Sequence, residues 1–109
     1  MAEDEVGQQK AQVQVSLDRV AGERRFQIAN SGAGSAFDVR LSVAAERGKN
    51  PPVSSHDLEA LFPRSELAPG ESVAVAAIIT PGTGLHFRGV VTWRNTDGSE
   101  EEGVYYMSA

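Results

Sequence analysis

The residues able to do acid–base chemistry are few and lie mainly in one short segment. His56 is followed directly by Asp57, and Glu59 comes two residues later. A catalytic centre needs a base, a nucleophile and a charge-stabilising group in one pocket. This segment lies between a Pro-Pro pair and Pro63, and its two serines are explained as helix caps. We therefore predict that the chain is not an enzyme and that it has no catalytic residues.

Metal binding is disfavoured by the residue types present. The chain has no cysteine, and its two histidines are His56 and His86. The usual zinc sites need several cysteine or histidine ligands. Asp97 and the glutamates at 100–102 have the acidity of a calcium loop, but the EF-hand spacing is absent and Asp97-Gly98 is explained as a hairpin turn. The sequence predicts no metal site.

The glycine-rich segment Gly32-Ala33-Gly34 superficially resembles a phosphate-binding loop. Such a loop needs a helix behind it and, in the nucleotide-binding type, a Lys-Ser/Thr pair after it. Neither follows in this chain. We interpret these glycines as a loop between strands and predict that the protein has no cofactor.

The elements that must position any site are strands. Apolar and polar side chains alternate over residues 13–17 and 37–43, which predicts strands that are buried on one face. The whole chain contains six such segments and a short seventh near residues 64–67. Residues 54–62 predict one helical turn, begun by Ser54 or Ser55, that lies over a sheet edge or an end of the sandwich. The fold class predicted is all-β, an antiparallel sandwich or small barrel.

Two segments predict which strands are central and which lie at an edge. Residues 72–80, SVAVAAIIT, are apolar on both faces. This pattern predicts a strand covered on both sides, in a central position. The last strand, GVYYMS at 103–108, is the better candidate for an open edge that pairs with a partner.

The final hairpin predicts a register and, with it, an inner and an outer face. A two-residue turn at 97–98 would place Val91 opposite Val104. In that register Trp93, Val91, Val104 and Tyr106 share the core face.

Tyr105 then falls on the opposite face, together with Val90 and Met107. These three residues are the predicted interaction surface. An exposed aromatic ring there also supports an alternative role as a carbohydrate-binding module.

The charge distribution and the lengths of the apolar stretches argue against two further classes of function, nucleic-acid binding and membrane insertion. The chain has 109 residues and a net charge of -5, with three acids at 3–5 and three at 100–102. Without those six of the fifteen acids, nine acids face ten bases, so no basic stripe for nucleic acid exists. No apolar stretch approaches the roughly 20 residues that span a bilayer, and the acidic N-terminus does not read as a signal peptide. We predict neither nucleic-acid binding nor membrane insertion.

Residues 1–10 are predicted to be a disordered lead-in, and residues 11–109 a single domain. The isolated domain is expected to be a monomer, which light scattering measures.

Turn chemistry carries a family resemblance. The stretches FQIANSGAGSAFDVRLSV, LAPGESVAVAAI and VVTWRNTDG resemble bacterial immunoglobulin-like domains, both the cell-adhesion-related (CARDB-like) type and the small domains appended to actinobacterial proteins. The matching positions are Asn30, Gly32, Gly34, Ala36, Leu67, Pro69, Gly70, Glu71, Ser72 and Trp93.

The resemblance implies an immunoglobulin-like sandwich of about seven strands that serves as a binding module, extracytoplasmic or joined to other domains. We therefore expect a non-catalytic module for protein–protein contact or spacing, with an unidentified protein as its partner. Carbohydrate binding is the alternative, and a glycan array separates the two. The compartment is left open, and an extracytoplasmic location fits a domain excised from a longer protein.

Overall fold

The computed structural model describes residues 10–109, in which seven β-strands and one short helix are found. The predicted lead-in, apart from Lys10, lies outside the described residues. The elements are β1 (Val13–Val20), β2 (Glu23–Asn30), β3 (Ala36–Ala45), α1 (Ser55–Leu61), β4 (Arg64–Leu67), β5 (Ser72–Ala76), β6 (His86–Arg94) and β7 (Glu100–Ser108).

The strands form two antiparallel sheets that pack face to face. One sheet has the order β1-β2-β5, and the other has the order β4-β3-β6-β7. The predicted all-β sandwich is thus confirmed, and so is the short strand near residues 64–67, which is β4. The helix begins as expected, because the Ser54 hydroxyl accepts the Asp57 N–H at 3.4 Å.

The core lies between the sheets and is built from the side chains that point inward at alternate positions of each strand. Phe26 of β2 and Phe87 of β6 meet there with ring centroids 5.7 Å apart and ring planes at 87°. Both rings are fully buried. This edge-to-face contact adds about 0.5–1.5 kcal/mol to the stabilisation that burial provides. Val39, Val91 and Trp93 are also buried, as the alternation predicts.

The segment that leads into β1 is tied to both sheets by two buried asparagines. Asn30, at the end of β2, accepts the Gln12 N–H at 3.1 Å. Asn95, just after β6, accepts the Ala11 N–H at 3.0 Å. Buried amides must be paired to be tolerated, so these side chains fix where the chain enters the sandwich.

The predicted central position of residues 72–80 is wrong. The strand β5 covers only five of them, and it lies at the edge of the three-stranded sheet, paired with β2 alone. Its inward residues Val73 and Val75 contribute to the core, whereas Ala74 and Ala76 alternate with them and face outward. These small apolar residues lie beside α1, which contacts β5. The outer face of β5 thus carries small apolar side chains next to the helix, and β5 has a neighbouring strand on one side only.

The predicted register of the last hairpin is also wrong, by one residue. The Asn95 carbonyl accepts the Gly98 N–H at 3.0 Å, and the Asn95 N–H donates to the Ser99 carbonyl at 2.8 Å. Gly98 has a φ of +87°. The connection is therefore a three-residue loop, a turn followed by a left-handed glycine.

The longer loop changes which side chains of β7 face the core. Val104 lies opposite Val90, and Trp93 lies opposite Glu101. A shift of one residue moves every side chain of a strand to its other face. The prediction that Val104 and Tyr106 are core residues is therefore wrong.

The turn between β4 and β5 is closed by a carboxylate. Glu71 accepts the Ala68 N–H at 2.9 Å with one oxygen and the Arg64 guanidinium at 2.9 Å with the other. The Ala68 N–H, and after it the Arg64 guanidinium, lower the pKa of Glu71 below its ordinary range. Because the folded state prefers the ionised form, Glu71 adds stability above the pKa of the unfolded chain. That stability is lost as the pH falls through the lower, folded-state value.

We predict that Glu71→Gln lowers the Tm by a few degrees at pH 7 and that this difference from the wild type shrinks in acid, below the ordinary range of a glutamate. Thermal unfolding followed by circular dichroism between pH 7 and pH 2 measures both effects. Glu59→Gln, at an exposed position of α1, is the matched control. A Tm difference that stays constant across this range would contradict the role given to the ionised carboxylate.

Candidate functional site

The residues able to do acid–base chemistry are spread over the surface. His56 is exposed on α1, where the neighbouring Asp57 backbone N–H donates to the Ser54 cap. His86 is exposed at the start of β6. Within residues 10–109, no three His, Cys, Asp or Glu side chains are grouped so that they could hold a metal ion.

The acidic run near the last hairpin is divided by strand geometry. The Glu101 carboxylate points inward and accepts the Asn95 side-chain amide at 3.2 Å, whereas the glutamates on either side of Glu101 face outward. The Asp97 carboxylate accepts the Ser99 hydroxyl at 2.6 Å and the Ser99 N–H at 2.9 Å. These two bonds lower the pKa of Asp97. Asp97 and Glu101 are thus both engaged in holding the loop.

The glycine-rich loop after β2 serves packing. A Cβ at Gly32 would lie 2.4 Å from the Lys10 carbonyl oxygen and 2.5 Å from the Gln12 nitrogen. The Gly34 N–H donates to the same Lys10 carbonyl at 3.2 Å. The loop can lie on the segment before β1 only because position 32 has no side chain, which explains the glycine without a phosphate ligand.

The three residues predicted to form an interaction surface do not share a face. Tyr105 points inward, and its hydroxyl donates to the Val13 carbonyl of β1 at 2.8 Å. Met107, two residues later, packs against the core as well. Val90 lies on the opposite, outer face of the sheet, where it pairs with Ser42 and Val104. The predicted surface is therefore split between the two faces.

Tyr105 closes the gap between the edge strands of the two sheets. Its ring lies over Gly103, where a Cβ would be only 2.7 Å from the ring carbon Cε2. An aromatic ring laid over a glycine at a sheet edge shields backbone that would otherwise be bare. Gly103 and Val13 together thus hold Tyr105 inward, and Tyr106 must then point out.

The surface that does form is the outer face of β6 and β7. Tyr106 is 69% exposed, and Val104 beside it is 38% exposed. Val90 of β6, directly opposite Val104, extends the apolar patch, and Arg88 stands opposite Tyr106. We call this surface the β6–β7 outer face. Its residues are Arg88, Val90, Thr92, Glu102, Val104 and Tyr106.

A shallow cavity of about 360 Å³ lies at the loop end of this face. Its lining combines two guanidinium groups with four carboxylates and has no histidine, serine or cysteine, and Asp38 and Arg40 form an ion pair at 3.4 Å. The indole Nε1 of Trp93 is buried without a hydrogen-bond partner among residues 10–109. The lining residues are Asp38, Arg40, Thr92, Trp93, Arg94, Glu100, Glu101 and Glu102.

Tyr106 and Val104 were missed because the turn at 97–98 was assigned two residues instead of three. The signal that identifies them is Asn95. A type I turn favours asparagine at its first position and glycine at its fourth, and Asn95 and Gly98 have that spacing. A turn begun at Asn95 gives the observed register.

Comparisons of the chain with protein-family models, with curated proteins and with solved structures found no match. Within residues 10–109, no helix has the length and apolar character required to cross a membrane. The surfaces described above are therefore the basis for the functional assignment.

We predict that Gly103→Ala destabilises the protein by about 1–3 kcal/mol, because the new methyl group displaces the Tyr105 ring. In a Tyr105→Ala background the same substitution should cost almost nothing, since the ring is gone. Urea denaturation of the wild type, the two single variants and the double variant measures this coupling. Equal costs in both backgrounds would show that the ring does not depend on the glycine.

Proposed function

We propose that this protein is a non-catalytic, immunoglobulin-like module that contacts another protein through the β6–β7 outer face. The observation that carries the proposal is the exposure of Tyr106 next to Val104 on that face. Tyrosine and arginine are enriched where proteins bind one another, and apolar residues form the centre of such contacts. Arg88, directly opposite Tyr106 in the sheet, adds the second of these residue types.

The immunoglobulin-like assignment is supported by the strand order. Constant-type immunoglobulin domains place their first, second, fifth and fourth strands in one sheet and the remaining three in the other. This chain has the same arrangement, except that β4 pairs with β3 rather than with β5. The closer resemblance to CARDB-like domains stays a prediction.

Carbohydrate binding, the alternative, is supported by the Tyr106 ring alone. The residue first considered for it, Tyr105, is held against β1 through Val13. The neighbours of Tyr106 on the outer face include two apolar side chains, Val90 and Val104. An apolar centre beside an aromatic ring favours a protein surface over a sugar as the partner.

Site-specific photo-cross-linking tests the proposed function. A benzoylphenylalanine placed at position 106 should give a protein adduct in extracts of the source cells. The same probe at position 14 should give none, because Gln14 is exposed on β1, in the other sheet. Added in excess, the unlabelled wild-type protein or its Gln14→Ala variant should compete for the partner and reduce the yield of the adduct. The double variant Tyr106→Ser/Val104→Ser should not reduce it.

Competition by the double variant equal to that of the wild type would overturn the assignment of this face. Binding to a glycan array that is lost on Tyr106→Ser, without any protein adduct, would favour the carbohydrate alternative.

A further inference from the structure

The strand β7 is the longest of the four edge strands within residues 10–109. The edge strand β4 has four residues and lies between Pro63 and Pro69, and β5 has five and contacts α1. The β1 edge has eight residues, and at its first residue the Val13 carbonyl accepts the Tyr105 hydroxyl of β7. In contrast, β7 has nine residues without a register shift and pairs with β6 alone. Proteins usually shorten, bend or cover such edges.

The hydrogen-bond pattern between β6 and β7 determines which backbone N–H and C=O groups of β7 are not bonded to β6. The Ala109 N–H donates to the Leu85 carbonyl, and the Asn95 N–H donates to that of Ser99. Hydrogen-bonded and non-hydrogen-bonded pairs alternate along an antiparallel ladder. The odd-numbered residues of β7 therefore bond to β6, and the even-numbered residues point their N–H and C=O groups away from the sheet.

The same even-numbered residues carry the exposed side chains of β7. Along the open edge the order is Glu100, Glu102, Val104 and Tyr106. Neither Glu100 nor Glu102 forms an ion pair within 4 Å with any residue in 10–109, although Arg94 of β6 lies opposite Glu100 in the ladder. Edge charges that only prevent self-pairing would explain the two glutamates, but they leave the exposed valine and tyrosine unexplained.

We infer that β7 accepts an extended segment of a protein partner as an added antiparallel strand. This inference rests on the proposed function and names the chemistry of the partner. The added strand has apolar side chains opposite Tyr106 and Val104, followed by lysine or arginine opposite Glu102 and Glu100. Main-chain hydrogen bonds supply affinity in strand addition, and alternate side chains supply specificity.

Charge complementarity argues against the chain's own segments as the occupant. A second copy of β7 carries no lysine or arginine to meet the glutamates, and in the fully overlapped antiparallel pairing Glu102 would face Tyr106. The sequence before Lys10 is acidic at Glu3, Asp4 and Glu5. A basic and apolar segment of another protein fits the edge better than either.

A pair of synthetic peptides tests this inference. The first is acetyl-Ser-Thr-Val-Thr-Val-Thr-Lys-Thr-Lys-amide, which matches the edge in antiparallel register. The second has the same residues in reverse order, so that its lysines meet the tyrosine end. The matched peptide should bind about fivefold more tightly than the reversed one at low salt, since each exposed charge pair adds a small increment.

Charge reversal of the edge should exchange the preference. The variant Glu100→Lys/Glu102→Lys should bind a peptide with glutamate in place of lysine better than it binds the matched peptide. Glu59→Lys, on the exposed side of α1, is the control and should leave the preference unchanged. Both variants should keep the wild-type Tm within a few degrees, because the substituted side chains are exposed.

Amide hydrogen exchange identifies the mode of binding. The matched peptide should slow exchange at the outward-pointing amides of Val104 and Tyr106, while those of Gly103 and Tyr105 are slow already. Slow exchange at Val104 and Tyr106 without peptide, together with a dimer in light scattering, would show that a second copy is the occupant and would overturn the inference. Equal affinity for both peptides would also overturn it. A peptide that binds without protecting these amides would exclude strand addition, yet a cross-link from position 106 would still support the proposed face.

Discussion

The three-residue loop between β6 and β7 is the constraint on which the β6–β7 outer face depends. Asn95 and Gly98 close that loop, and the loop fixes the pairing of the last two strands. A strand has two faces and a period of two, so the loop length determines which side chains of β7 face the core. With one residue fewer, Tyr106 would be buried and Tyr105 would lie in water. The turn at residues 95–98 thus determines which side chains lie on the outer face, although it is several residues away from Val104 and Tyr106.

The inner side of the same strand shows how the register is held. The Tyr105 hydroxyl reaches the Val13 carbonyl in the other sheet, and its ring needs the bare backbone of Gly103. Gly89 of β6, opposite Tyr105, is buried, and a Cβ there would lie 3.0 Å from the Met107 Cε and 3.3 Å from the Val15 Cγ1. Glycines in adjacent strands therefore make room for Tyr105, Met107 and Val15 where the two sheets approach. The register of β6 and β7 thus determines both the inward packing of Tyr105 and the outward position of Tyr106.

The asparagines at the loop end link this arrangement to the rest of the domain. The Asn95 side chain accepts the Ala11 N–H and donates to Ser99 and Glu101. It therefore connects the start of β1, in one sheet, to the hairpin loop of the other. Because its amide is buried and paired on both sides, moving the loop would leave polar groups without partners.

Much of the fold could be predicted from alternation, since period two identifies half-buried strands such as β1 and β3 without knowledge of their partners. The helix was also predictable, because Ser54 and Pro63 mark its two ends. The edge positions depend on tertiary information. The register is ambiguous in the sequence, because Asp97-Gly98 suits a two-residue turn whereas Asn95 with Gly98 suits a three-residue loop. The hydrogen bonds of Asn95 decide for three residues. The apolar run at 72–80 looked central because a sequence does not show that a helix, rather than a strand, lies beside β5.

The most direct test of this account is the pattern of interstrand Hα–Hα nuclear Overhauser effects in the last hairpin. Such contacts are strongest at non-hydrogen-bonded pairs, where the Cα atoms are closest. The three-residue loop should give cross-peaks between Val90 and Val104 and between Arg88 and Tyr106. A cross-peak between Val91 and Val104 instead would mean a two-residue turn, with Tyr106 in the core, and would contradict the surface and the edge proposed for this protein.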